Sequence, residues 1–357
     1  METTKKIKRV NKDEPTGFDR FNRVSKGANA VLNIIFIIMS LLCVIPILLV
    51  VAISFSAEDS ITEYGYRFIP KIFSLEGYTF LASQSTMLLR ALGVSLFVTI
   101  VGTVLGGKDD TELSLLALPT TIWYLLFCFL PMFGIIIAFK NYKVYGGFLT
   151  SFIKSEWVGF NNFKFLFSSK DIWLILRNTL GYNVIFIILG IVAPVAAAIA
   201  VGQLHSKKLA KAYQTAMFMP YFLSWVVVSA LVWAFLSYDK GLINGMLESW
   251  GMERQQWYMK PAMWPPFLVF MNLWKGLGYG MVVYLATITG IDKTYYEAAG
   301  IDGATIWQQI RYITLPLMKT VIIMMFIMAV GRIFYSDFGL FYQVPRDSNT
   351  LYNYVYT

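Results

Sequence analysis

Glu297, Asp302, Gly303 and Arg311 crowd into one stretch, YYEAAGIDGATIWQQIRYITLP (residues 295–316), which lies between two long apolar runs. Asp292 and Thr294 stand just ahead of it. Neither a nucleophile–base pair nor a metal-ligand spacing is present here, so the chemistry these types offer is conformational. Thr294 precedes Glu297 by three residues, the spacing of a capping box, and Asp292 is a rival cap for the same helix. Asp302 can cap a second helix, and Gly303 lets the chain turn tightly. Ile306, Ile310 and Ile313 repeat at i, i+4 and i+7 with Trp307 adjacent, one face of that helix. Pro316 is expected to stop it and start the next apolar run. The expectation is two short helices at an angle. They are either a plain connector between spans or a rigid knob that fits a groove on a soluble partner.

A second group lies inside an apolar run. Lys275 sits mid-run in NLWKGLGYG, with Asn272, Trp274 and Tyr279 close by. A lysine at that depth costs about 2.5–3.5 kcal/mol on insertion scales, so it should face a cavity or a partner. An aromatic ring beside hydrogen-bonding groups offers a stacking face with donors next to it. Snorkelling and subunit packing are the competing readings, and Arg332 and Asp337 at the end of the last run read as snorkelling residues.

The rest of the chain holds little else that could react. The one histidine, His205, lies in a polar loop and reads as solvated. Cys43 and Cys128 fall within apolar runs and read as small buried hydrophobes. With neither CxxC nor HExxH, no metal site is expected, and no cofactor. GTVLGGKD (102–109) nearly spells a phosphate loop but ends on Asp109, and Asp110 adds a second repelling charge. The small residues of GLGYG (276–280) permit close helix packing. An enzyme is therefore not expected, and ATP binding by this chain is not expected either.

The elements that position these residues follow from composition. Of 357 residues, 57% are hydrophobic and 14% charged, against about 25% charged in soluble domains. Mean hydropathy is +0.58. Runs near 28–54, 88–106, 113–139, 179–202, 215–236, 264–290 and 317–335 are each long enough to cross a bilayer, giving an all-α polytopic bundle of about seven spans. The basic residues of the first 28 positions place the N-terminus in the cytoplasm, the 291–316 loop inside and the C-terminus outside. Lysines in the 140–178 loop pull the other way. The net charge of +9 is explained by topology and the membrane surface, and nucleic acid is not an expected partner. Pro46, Pro119, Pro131, Pro194 and Pro220 interrupt the runs, either as kinks around a polar cavity or as ordinary bundle packing. Residues 74–107 echo residues 156–194, each with an aromatic-rich loop, an arginine (Arg90, Arg177) and a span.

Glu297-Ala298-Ala299, three residues, Gly303, nine residues, Ile313, one residue and Leu315-Pro316 resemble the EAA loop of ABC importer permeases at every fixed position. WVGFNNFKFLF, RNTLGYNVIFI, MFMPYFLSWVV and WKGLGYGMVVYLATITGID narrow the resemblance to binding-protein-dependent carbohydrate permeases over about 110–357. Residues 1–106 resemble the front of the companion permease. The resemblance divides the chain into a basic segment (1–27), a two-span fragment (28–106), a junction (107–112) and a five-span permease domain (113–357) that lacks the family's last span. It implies a type I importer-like permease fold, incomplete, in the plasma membrane. It also implies an ATPase-docking knob of Glu297, Ala298, Ala299, Asp302, Gly303, Ile313, Leu315 and Pro316. The implied partners are a cytoplasmic ABC ATPase dimer, a second permease subunit and an extracytoplasmic sugar-binding lipoprotein; the implied cargo is an oligosaccharide or sugar. The rival reading is a rearranged fusion fragment that inserts but does not transport.

Overall fold

The computed structural model describes residues 24–76, 78–79, 93 and 118–346. The expected span at 88–106, the 107–112 junction and most of the basic N-terminal segment lie outside them. Five helices among the described residues are long and apolar enough to cross a membrane, or six if one bent pair counts as a span. Helices suit such spans because they close most of their backbone hydrogen bonds internally, and a carbonyl freed by a proline, such as that of Leu42 ahead of Pro46, is met by a neighbour's side chain.

The chain divides into two compact units, 1–73 with 176–357, and 74–175. In the first, α1 (Lys26–Ser54) is capped by Ser25, whose side chain accepts from the Ala28 N–H. It leads to the short α2 (Glu58–Tyr64). In the second, the span α3 (Leu118–Phe139) ends at a two-stranded antiparallel pairing of Lys140–Asn141 with Glu156–Trp157. Between those strands lies α4 (Phe148–Lys154). After them comes α5 (Asn161–Ser168). Phe139 stacks on Trp157 at 5.8 Å, and the Asn162 amide donates to the Ala138 and Lys140 carbonyls. The expected long loop at 140–178 is thus a folded hairpin and helix.

The next span begins earlier than expected: α6 runs Lys170–Gly202, so Arg177 lies within a helix. The apolar run at 215–236 is not one straight span. It is α7 (Lys207–Phe218), a 3-10 turn at Met219–Phe222 and α8 (Trp225–Leu236), bent by 102°. Pro220 cannot donate to the turn before it, and the Ser224 side chain accepts from the Val227 N–H to start a new helix. After α9 (Leu242–Ser249) comes the span α10 (Trp264–Thr289). Then follow α11 (Lys293–Ile301), α12 (Ile306–Gln309), a π turn at Ile310–Thr314 and α13 (Leu315–Val330).

The core of the first unit gathers around α10, where Trp264, Leu268, Met281 and Tyr284 are buried. α1 belongs to that core through Phe36 and Cys43. Four side-chain interactions hold it there. The Tyr213 hydroxyl donates to Asn33 Oδ1 at 2.9 Å, and the His205 N–H donates to Asn29 Oδ1 at 3.1 Å. Phe36 stacks on Tyr213, and Trp274 Nε1 donates to the Leu42 carbonyl at 3.1 Å. His205 is accordingly half-buried and not the solvated loop residue expected. Cys43 is buried as expected, whereas Cys128 is exposed on α3. α1 belongs to the same compact unit as residues 176–357.

α10 meets its neighbours through glycine. A Cβ on Gly278 would fall 2.1 Å from the Met217 carbonyl oxygen, and one on Gly280 would fall 2.9 Å from Pro194. The GLGYG stretch is a close-packing device, as its small residues suggested. On the segment joining α8 to α10, buried Asn244 does what no motif announced. Its amide donates to the Ser237, Tyr238 and Gln255 carbonyls, and its oxygen accepts from the Gln255 N–H and Trp257 Nε1. One side chain, its two amide hydrogens shared among three carbonyls, thereby ties together five groups of a segment that has no ladder of its own.

Candidate functional site

The polar stretch after α10 folds into an elbow. Its first helix, α11, is capped by Asp292, whose carboxylate accepts from the Thr294 N–H at 3.0 Å. The rival cap is therefore the one used, and the Thr294–Glu297 box is not formed at this end. That hydrogen bond holds the Asp292 carboxyl below its usual range. At the far end Gly303 takes φ 76°. The Ala304 N–H donates to the Ala299 carbonyl at 2.8 Å, and the Gly303 N–H to that of Gly300 at 3.2 Å. These two bonds are a Schellman closure, which needs the left-handed conformation that glycine adopts freely. Asp302 is the C-cap of α11 and not the cap of the second helix. Thr305 caps α12, in a capping box with Gln308.

α12 does not stop at Pro316. The π turn at Ile310–Thr314 carries it into α13, and Ile306–Val330 is one candidate span of 25 residues. The proline stands at the start of α13, where the widened turn tolerates its missing N–H. Of the two helices expected here, α11 alone stands as a separate short helix. Two contacts set the elbow's shape: Tyr296 on α11 shares a 2.9 Å hydrogen bond with Thr314, and buried Gln309 donates to the Ala304 carbonyl.

Of the expected knob residues, Glu297, Ala298, Asp302 and Gly303 are exposed, and Ala299 is half-buried. Ile313, Leu315 and Pro316 belong to the π turn and the start of the span. The elbow also exposes two large apolar side chains that the motif did not single out, Ile301 (77% exposed) and Trp307 (80%).

The second candidate group forms at the break between α7 and α8. Lys275 Nζ donates to the Tyr221 carbonyl at 2.9 Å, a group that the break has freed from helical bonding. The ammonium lies 5.6 Å from the Tyr221 ring centre and 5.5 Å from that of Trp225. Tyr279, one turn on, stacks on Tyr221 at 4.8 Å, and Phe218 stacks on Tyr221 at 5.6 Å. Asn272, Lys275 and Tyr279 share a helix face by spacing. Trp274 takes another direction: it is buried and bonded to α1. Asp337, expected to snorkel, instead accepts from Trp225 Nε1 at 2.7 Å and from the Gly339 N–H at 2.9 Å. Sequence spacing could not have found that link, because Trp225 and Asp337 are 112 residues apart.

No group of three or more potential metal ligands occurs among the described residues. The arrangement offers no reacting constellation. It offers a shaped surface at a helix elbow, and a cation among aromatic rings at a helix break.

Residues 190–336 match the family described as "Binding-protein-dependent transport system inner membrane component". The chain is 33% identical to Protein LplB of Bacillus subtilis (strain 168) over 242 residues, which is 68% of this chain and 75% of that protein. It is 35% identical to the polygalacturonan/rhamnogalacturonan transport system permease protein YteP of the same organism, over 61% of this chain and 67% of that protein. It is also similar to a chain in the crystal structure of a bacterial ABC transporter involved in the import of the acidic polysaccharide alginate. That match has 33% identity and a TM-score of 0.59, and covers 69% of this chain and 80% of that one.

Proposed function

The chain belongs to the binding-protein-dependent transport system inner membrane components, as a multi-pass permease subunit of an ABC carbohydrate importer, and from that premise we propose how its two sites work. The elbow at 291–316 is the surface on which a separate cytoplasmic ABC ATPase dimer docks. Glu297, Ala298, Ala299, Asp302 and Gly303 form the contact, with Ile301 and Trp307 as apolar anchors. Ile313, Leu315 and Pro316 join that contact to the span, so displacement of α11 is passed into α13. The observation that carries this reading is the Schellman turn at Gly303, which ends α11 just after Glu297, Ala298 and Ala299 and sets them at a bend ahead of the span. Small alanines let a partner surface approach closely.

The cargo is an oligosaccharide, handed over by an extracytoplasmic binding lipoprotein and passed along a path shared with a second permease subunit. Tyr279 and Tyr221 offer stacking faces, and Asn272 and Lys275 offer donors. Trp274 positions this face by anchoring α10 to α1. The elbow lies on the cytoplasmic side with the N-terminus, and the C-terminus is outside.

Co-expression of the full chain with an ABC ATPase and a second carbohydrate permease subunit from the same source tests the reading. The expected result is a complex that co-purifies and hydrolyses ATP faster when loaded binding protein is added. Failure of the ATPase to co-purify, or labelling of a cysteine at Glu297 from outside intact cells, would overturn it.

A further inference from the structure

α1, α8 and α10 enclose a cavity of about 490 Å³ whose lining residues are all apolar, among them Leu42, Ile45, Leu231, Phe235 and Phe270. The one indole N–H on its wall, that of Trp274, is already bonded to the Leu42 carbonyl. A sugar placed here would leave its hydroxyls without partners, which buried polar groups do not tolerate. A hydrocarbon chain would lose nothing.

Phe68, Leu242 and Met246 line this pouch and also a second cavity of about 710 Å³. The second cavity is mixed: Arg67, Lys240 and Arg254 line it with Glu63, Asp239 and Glu248, beside Tyr64, Tyr66 and the three shared apolar residues. It lies where α1 and α8 end and before α10 begins, at the ends of helices that are apolar enough to cross a membrane. Arg254 pairs with Glu248 at 2.8 Å and donates to the Asp239 carbonyl, Lys240 donates to the Thr62 carbonyl, and Arg67 donates through Nε to that of Tyr64. The cleft is therefore pre-ordered and balanced in charge. Ile45, Phe270 and Met246 are 38%, 44% and 45% exposed, so the pouch is reachable from the lipid.

We propose that these contiguous cavities form a binding site for one zwitterionic membrane phospholipid, with an acyl chain in the pouch and the headgroup in the cleft. The basic side chains face the phosphate, and Glu63 and Asp239 face the ammonium. An anionic headgroup meets the same carboxylates as repulsion, so a balanced headgroup is selected. The bound lipid fills the space between α1 and the rest of the core and holds α1 in place.

Native mass spectrometry of the full chain in mixed micelles with equimolar phosphatidylethanolamine and phosphatidylglycerol tests the site. One phosphatidylethanolamine should be retained. Ile45→Trp, which fills the pouch, and Met246→Trp, at the shared sill, should each lower retention at least ~10-fold, and Arg67→Ala should level the preference between the two lipids. A phosphatidylethanolamine carrying a photoreactive acyl chain should cross-link the unmodified chain at peptides containing Ile45 and Phe270, a readout that needs no variant to fold. Retention unchanged in both Trp variants, preference for phosphatidylglycerol, or cross-links that avoid those peptides would each overturn the proposal. So would displacement of the lipid by chain-free glycerophosphoethanolamine, because the cleft alone would then account for binding.

Discussion

Tyr296 and Thr314, on the two arms of the elbow, share a hydrogen bond of 2.9 Å across 18 residues of sequence. Together with Gln309 on Ala304 it fixes the angle at which α11 leaves the span. Tyr296→Phe removes this bond alone and keeps the ring. The expected loss is about 1 kcal/mol of elbow rigidity, read as about a 5-fold fall in binding-protein-stimulated ATP hydrolysis with insertion unchanged. Full stimulation in the variant would mean the tie plays no part in coupling.

Gly303 stands in the left-handed region with open space around its Cα. Gly303→Val therefore meets backbone strain and no clash. A β-branched residue at that φ costs about 1–2 kcal/mol and should uncouple ATP hydrolysis from uptake in reconstituted vesicles. Membrane yield and thermal melting should stay near those of the parent chain.

Asp292 caps α11, and the bond to Thr294 lowers its pKa. A carboxyl lowered on folding stabilises the helix start above its unfolded pKa, and the effect is lost as pH falls through the folded value. A spin label at Glu297→Cys should gain mobility below about pH 4. Asp292→Asn, which still caps but does not titrate there, should flatten that profile; an unchanged acid transition would remove Asp292 as its source.

Gly278 touches the Met217 carbonyl so closely that any Cβ requires backbone movement. Gly278→Leu should cost about 3 kcal/mol or more by overpacking, measured as loss of the folded chain from detergent extracts. Gly276→Ala, where nothing lies within 4 Å, is the matched control and should be tolerated.

Lys275 both bonds the Tyr221 carbonyl and faces two rings. Lys275→Met keeps the length and removes the donor and the charge. If it contacts the cargo, the KM for uptake should rise about 10-fold or more while the melting temperature moves little. A fall in melting temperature with unchanged uptake kinetics would assign it to the helix break alone.

Much of this was legible in the residues themselves. Apolar length marked α1, α10 and α13 because a bilayer sets a minimum run whatever the neighbours do. The EAA spacing located the elbow, and Gly303 its bend, since a left-handed turn restricts residue type more strongly than almost any other local feature. Tertiary structure decided the rest. Two residues could have capped α11, and Asp292 rather than Thr294 does so. Pro316 reads as a stop, yet a π turn lets the helix pass it. The 215–236 run looks like one span, yet it breaks at Pro220 and Ser224 where Lys275 can satisfy a freed carbonyl. Trp225–Asp337 and the seating of α1 against Tyr213 and Trp274 join residues more than a hundred positions apart. Periodicity and spacing act over a turn or two of helix, whereas these contacts exist only once distant helices have packed.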